Sequence, residues 1–159
     1  MSTIEPRIAY YKLAPDGMKH LQALERYLTD CGLEKSLIEL VKLRASQING
    51  CAYCLDLHSK DALAAGETPQ RLVALAAWQE TPFFTDRERA ALAWCETVTR
   101  ISETHAPDED YQAVRRFTQI RTIRRLHDCF LGSIKTKEQE ALLLPNLFSS
   151  PGTVIGAQN

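Results

Sequence analysis

The 159-residue chain contains no run approaching the roughly 18 uninterrupted apolar residues of a membrane-spanning helix. Its opening, MSTIEPRIAYYKLAPDG, also lacks the basic segment and apolar run of a secretory signal. The cytoplasm is therefore the expected compartment, without a membrane partner. Net charge is nearly missing too: the formal value of -1 argues against capture of nucleic acid or membrane by bulk electrostatics. Strand signals are scarce, with no Asn-Gly or Asp-Gly flanked by alternating β-branched runs and no regular short-strand spacing. The expected class is all-α. The length suits one hydrophobic core, so residues 1–159 are read as a single compact domain.

Five cysteines are present, Cys31, Cys51, Cys54, Cys95 and Cys129. An odd number in a chain without a secretory signal speaks against a structural disulfide framework, and any disulfide is expected to be transient.

Helix punctuation is frequent. Asp16 is placed to cap a helix carrying Met18, Leu21, Leu24 and Leu28, with Gly32 at its end. Ser36 and Glu39 stand in capping-box spacing before an apolar stripe of Leu37, Leu40, Val41 and Ile48 that reaches Asn49-Gly50. A third helix is expected from about Cys51 to Ala65, stopped by Gly66, and a fourth opens with Thr68 as cap and Pro69 at its first position. Thr85 and Glu88 repeat the capping-box spacing ahead of Ala91, Leu92, Trp94, Cys95 and Val98. Residues 111 to about 135 also read as helix, although Tyr111, Val114, Phe117, Ile120 and Ile123 recur every third residue, so that stripe drifts around the helix. The final stretch, LLLPNLFSSPGTVIGAQN, reads as irregular.

The segment INGCAYCLDLHSKDALAAGE carries the chemistry. At about 100° per residue, Cys51, Cys54 and His58 fall within an arc of roughly 60° on one helix face. An imidazole one turn from a thiol can take its proton or stabilise the resulting thiolate, and this spacing couples His58 most directly to Cys54. The opposite assignment stays open, because a helix beginning at Gly50 puts Cys51 in its first turn, where the dipole favours a thiolate. Cys54 is the preferred attacker, since a specific base can both activate and later protonate, leaving Cys51 to resolve the oxidised sulfur. Zinc competes as an occupant: a closed structural site wants four ligands and no second CxxC or HxxxH completes Cys51, Cys54 and His58, which leaves a catalytic three-ligand zinc as the open metal alternative. Covalent haem attachment fails because Leu55, not histidine, follows the CxxC.

The stretch ELVKLRASQINGCAYCLDLHSKDALAAGE, continuing through WQETPFFTDRERAALAWCETVT, resembles the alkylhydroperoxidase AhpD-like family of the carboxymuconolactone decarboxylase superfamily. The resemblance spans roughly residues 17 to 100. It implies a compact all-helical domain with the CxxC at the start of a central helix, assembled as trimers or hexamers. It also implies a peroxidase site in which Cys54 attacks the peroxide, Cys51 resolves, and Glu39 works with His58, directly or through water, to move protons. The cycle it implies uses a peroxide substrate and an external dithiol or lipoyl-type reductant protein, with no bound cofactor or metal.

Along one continuous helix, Glu39 would stand about 28 Å from His58, so a relay demands a reversal at Asn49-Gly50. Glu39 also has a plainer assignment, completing the capping box with Ser36. The paired cysteines favour redox chemistry over decarboxylase-type activity. A thiol-disulfide reductant serving a partner peroxidase and a redox-sensing module are the alternative functions.

From about residue 118 the chain departs from the family pattern: FTQIRTIRRLHDCFLGSIKTKEQEALLLPNLF replaces the usual helix. Residues 111 to 137 are basic, carrying Arg115, Arg116, Arg121, Arg124, Arg125, Lys135 and Lys137. Without a nucleic-acid reading module, a solvated or intersubunit face is the preferred reading there. Cys31, Cys95, Trp78 and Trp94 read as packing residues, His20 and His105 as surface residues, Tyr53 as a packed or exposed aromatic and Arg44 as a salt-bridge partner.

Overall fold

The computed structural model describes residues 10–30 and 32–117, and every described element is helical. In chain order these are α1 (Tyr10–Leu13), α2 (Pro15–Asp30), α3 (Lys35–Asn49), α4 (Ala52–Ala64) and α5 (Pro69–Ala74). A 3-10 helix (Leu75–Glu80), α6 (Asp86–Thr99), α7 (Ile101–Thr104) and α8 (Asp108–Phe117) follow. The all-α expectation holds. The basic stretch beyond Arg116, Cys31, Cys129 and the segment from about residue 118 lie outside the described residues.

α3 is the organising helix. Leu37 through Leu43 are all buried, with Ala45 and Ser46 beyond them, so α3 is enclosed on every side rather than along one stripe. It packs against α4, α6 and the 3-10 helix. One apolar cluster joins Leu37, Ile38, Val41 and Ala45 of α3 to Leu28 of α2, to Ala91, Trp94 and Cys95 of α6, and to Val114 of α8. Leu40 and Leu43 join Leu75, Trp78, Phe84 and Leu92 in a second. Full burial of each such side chain is worth about 1.5–3 kcal/mol, so the α3 neighbourhood holds most of the hydrophobic stabilisation.

Charges on enclosed helices have partners. Lys42 Nζ lies 2.6 Å from Glu25 Oε2, linking α3 to α2. Arg44 reaches Glu96 of α6 at 2.7 Å, and the same carboxylate accepts the indole N–H of Trp78 at 2.8 Å. The salt-bridge reading of Arg44 is thus met.

Several helix ends match their sequence signals. Thr68 caps α5 by accepting the Arg71 N–H with Pro69 next in line, and Thr85 with Glu88 makes a reciprocal capping box on α6. Three sequence expectations require correction. Ser36 and Glu39 form no capping box: α3 begins at Lys35, Glu34 occupies the cap position without a side-chain cap bond, and Ser36 therefore lies within the first turn. Asp16 likewise falls inside α2, which starts at Pro15, and pairs with Lys19 at 2.9 Å. The segment after Thr68 is not one α-helix either. It tightens into the 3-10 helix, with Ala77 at φ -124° and ψ 38° breaking the helical run.

The α3–α4 reversal is a tight left-handed cap. Gly50 sits at φ 62° and ψ 38°. Its N–H bonds to the Gln47 carbonyl at 3.3 Å, while the Cys51 N–H bonds to the Ser46 carbonyl at 3.1 Å, the paired bonds of a Schellman motif. A Cβ at residue 50 would meet nothing within 4 Å, so a substitution there costs backbone strain alone. Gly50→Ala is expected to lower unfolding stability by about 1 kcal/mol, read from urea denaturation, with Gly50→Asn losing less. Equal stability of all three proteins would contradict the left-handed turn.

Candidate functional site

The turn at Gly50 delivers Cys51 directly to the start of α4. Cys51 is the N-cap residue, with extended backbone at φ -93° and ψ 101°. Its sulfur accepts the backbone N–H of Cys54 at 3.0 Å, the role that a serine or aspartate oxygen usually fills at this position. The sulfur therefore stands at the positive end of the α4 dipole. Both cysteines are nearly enclosed, with residue exposures of 5% for Cys51 and 3% for Cys54. Tyr53 is buried with them, and Leu57 packs against the group, so the packed reading of Tyr53 holds.

One turn further along α4, His58 faces α3. Its Nδ1 lies 2.9 Å from Glu39 Oε2, across 19 residues of sequence. The side chains of His58 and Glu39 retain only 12% and 9% exposure. An ionised carboxylate can only accept, so with Glu39 ionised the Nδ1–H donates and Nε2 becomes the imidazole's basic nitrogen. Glu39 thus holds the ring's orientation and tautomer instead of capping its own helix.

A residue that sequence reasoning missed completes the group. Asp61 places a carboxylate oxygen so that ligand-type atoms of Glu39, His58 and Asp61 all lie within 4.8 Å of one another. Burial pushes the Asp61 carboxyl above its ordinary range, and the negative charge of Glu39 adds to that rise, while His58, Lys35 and Lys42 oppose it. The signal was present: Cys54, His58 and Asp61 occupy positions i, i+4 and i+7, one continuous face of α4. Without the tertiary contact to Glu39, Asp61 reads as a solvated helix carboxylate.

The other cysteine among these helices behaves differently. Cys95 is buried in the core, its Sγ donates to the Val41 carbonyl at 3.4 Å, and burial pushes its thiol up to about 12. The packing reading of Cys95 stands, as does that of Trp78 and Trp94, which are buried. His20 and His105 are exposed, matching their surface assignment.

Against this geometry, the model of the carboxymuconolactone decarboxylase family matches residues 15–97. The chain belongs to that family. The matched span contains all of α2 to α5 and most of α6, and with them Glu39, Cys51, Cys54, His58 and Asp61. The uncharacterized protein YdfG of Bacillus subtilis is 44% identical over 109 residues, covering 69% of this chain and 74% of its own length. The solved structure of a protein of unknown function from Agrobacterium tumefaciens, provisionally named as the antioxidant defence protein AhpD, matches with a TM-score of 0.78 and 34% identity. That match covers 94% of this chain and 100% of the other. The debrominase Bmp8, solved as a point variant in complex with 2,3,4-tribromopyrrole, has a TM-score of 0.70 at 18% identity over 82% of this chain and 70% of its own, and shares the fold. Among the described residues, no helix is long and apolar enough to cross a membrane.

Two measurements check the site's electrostatics. At pH 8 and in the native state, iodoacetamide is expected to leave Cys95 unmodified, with modification appearing only after denaturation; labelling of native Cys95 would contradict its enclosure. Asp61 has a raised folded-state pKa, so its stabilising contribution is present at low pH and lost as pH rises through that folded value. Relative to Asp61→Asn, the wild type should therefore be less stable at neutral pH, with the gap narrowing on acidification, as read by thermal melts. A pH-independent gap would show that Asp61 is not the charge held in this environment.

Proposed function

We propose that the chain is a thiol-dependent peroxidase that reduces hydrogen peroxide or organic hydroperoxides through a Cys51–Cys54 disulfide cycle. The observation that carries this reading is the 2.9 Å contact between His58 and Glu39, made one helical turn from Cys54. It supplies an oriented base beside a dithiol, the equipment that peroxide reduction asks for.

In the proposed cycle, His58 takes the Cys54 proton and the thiolate attacks one peroxide oxygen. The O–O bond breaks, the leaving alkoxide or hydroxide takes a proton from the imidazolium, and Cys54 becomes a sulfenic acid. Cys51 then attacks the Cys54 sulfur, water leaves, and the disulfide forms. An external dithiol, such as a lipoyl-type reductant protein, restores both thiols by exchange. Glu39 keeps His58 aligned. Membership in a family with a structural relative provisionally named for antioxidant defence is consistent with this cycle. A homo-oligomeric assembly, trimer or hexamer, is part of the proposal and is read by light scattering.

One observation favours a second reading. Cys51 Sγ receives the Cys54 N–H at the start of α4, the position from which a thiolate attacks another disulfide. On that reading the protein is a thiol-disulfide reductant for a partner peroxidase, with Cys51 as attacker.

Stopped-flow oxidation of the reduced protein separates the two. Peroxidase chemistry predicts fast Cys51–Cys54 disulfide formation with hydrogen peroxide or cumene hydroperoxide. That reaction is lost in Cys54→Ser and slowed by on the order of 100-fold in His58→Ala, with a smaller loss in Glu39→Gln. Slow reaction with both peroxides but rapid exchange with a lipoyl disulfide, lost in Cys51→Ser, would replace the peroxidase with the reductant. Failure of both reactions would remove the redox reading.

A further inference from the structure

The Glu39–His58 contact leaves Asp61 as a second carboxylate at the same imidazole. A buried oxygen of Glu39, a half-buried ring nitrogen of His58 and a half-buried oxygen of Asp61 lie within 4.8 Å of one another. Three donors from two helices, α3 on one side and α4 on the other, converge because the Gly50 turn sets those helices together. This is not a surface acidic patch, for one of the three donors is an imidazole and the Glu39 side chain keeps only 9% exposure.

We propose that Glu39, His58 and Asp61 form a three-ligand site for a divalent transition metal of the zinc class, in which the thiols are not ligands. Ligand distances near 2.1 Å put two donors on one ion about 3.4 Å apart in a tetrahedral site and about 3.0 Å apart in an octahedral one. The Glu39–His58 pair, hydrogen-bonded at 2.9 Å, is close to the octahedral separation. The Asp61 oxygen lies within 4.8 Å of both, so metal binding requires it to move inward. Two carboxylates with one imidazole suit zinc, cobalt or nickel, whereas calcium and magnesium prefer oxygen alone. Three protein ligands leave further positions for water.

Lys35 and Lys42 both act on Asp61 at a distance, but Lys35 is exposed and Lys42 holds Glu25 at 2.6 Å. A bound metal ion displaces the proton shared by His58 and Glu39. On the peroxidase reading, that occupancy takes the imidazole out of proton traffic and switches thiol activation off, so the ion is a regulator of the site and not a cofactor of its cycle.

The test uses full-length Cys51→Ser/Cys54→Ser protein, freed of metal by chelation, so that the dithiol can supply no ligand. Calorimetric titration with zinc should show saturable binding of one ion per chain. Cobalt should give visible ligand-field bands without thiolate charge transfer. Adding Asp61→Asn or His58→Gln should weaken zinc binding by at least about tenfold, with circular dichroism confirming the helical fold of each variant. No saturable binding, equal affinity after Asp61→Asn, or a thiolate charge-transfer band would each overturn the site. Binding is read in protein that cannot turn over peroxide, so its failure leaves the peroxidase reading standing and failure of that reading leaves the metal site testable.

Discussion

The side chains of the candidate site depend on the reversal at Gly50. The left-handed residue satisfies the last carbonyls of α3 and, within one peptide, hands the chain to Cys51, which opens α4 as its cap. Termination of one helix and initiation of the next thus share three residues. The short connection leaves little freedom in how α4 lies against α3, and His58 is thereby brought to Glu39. A longer loop would leave the same residues in the chain without setting their separation.

Burial then makes the pairing selective. An ionised carboxylate inside α3 is costly unless it has a partner, because the interior returns little of the hydration it loses. Glu39 meets that demand through His58 and Lys42 through Glu25, so these two buried charged residues each point to a neighbouring helix. Such contacts disfavour sliding or rotation of α3, since either would strand a buried charge. The ring that Glu39 holds lies one helical turn from Cys54.

The contrast between cysteines follows from where each lies on its helix. Cys95 is surrounded by the core and its thiol is pushed up to about 12, which removes it from nucleophilic chemistry near neutral pH. Cys51 is as enclosed by its neighbours but occupies a helix start, with a backbone N–H directed at its sulfur. Burial alone does not separate the surroundings of these two sulfurs. The end of the helix does.

Local chemistry was legible where it involved adjacent residues. Thr68-Pro69, Thr85 with Glu88, and Asn49-Gly50 announced their boundaries because caps and turns are settled over three or four residues. The dithiol and His58 were visible for the same reason, as one face of one helix. Ser36 and Glu39 matched a local rule equally well and yet did not follow it, because the start of α3 at Lys35 and the contact with α4 outweigh a capping bond worth about 1 kcal/mol. By itself the sequence determined the all-helical class, most helix ends and the Cys51, Cys54, His58 stripe, all consequences of short-range geometry. Only the tertiary structure decided that Glu39 belongs to His58 rather than Ser36, and that Asp61 joins them. Those contacts depend on how two helices lie across a turn, which no spacing along either helix encodes.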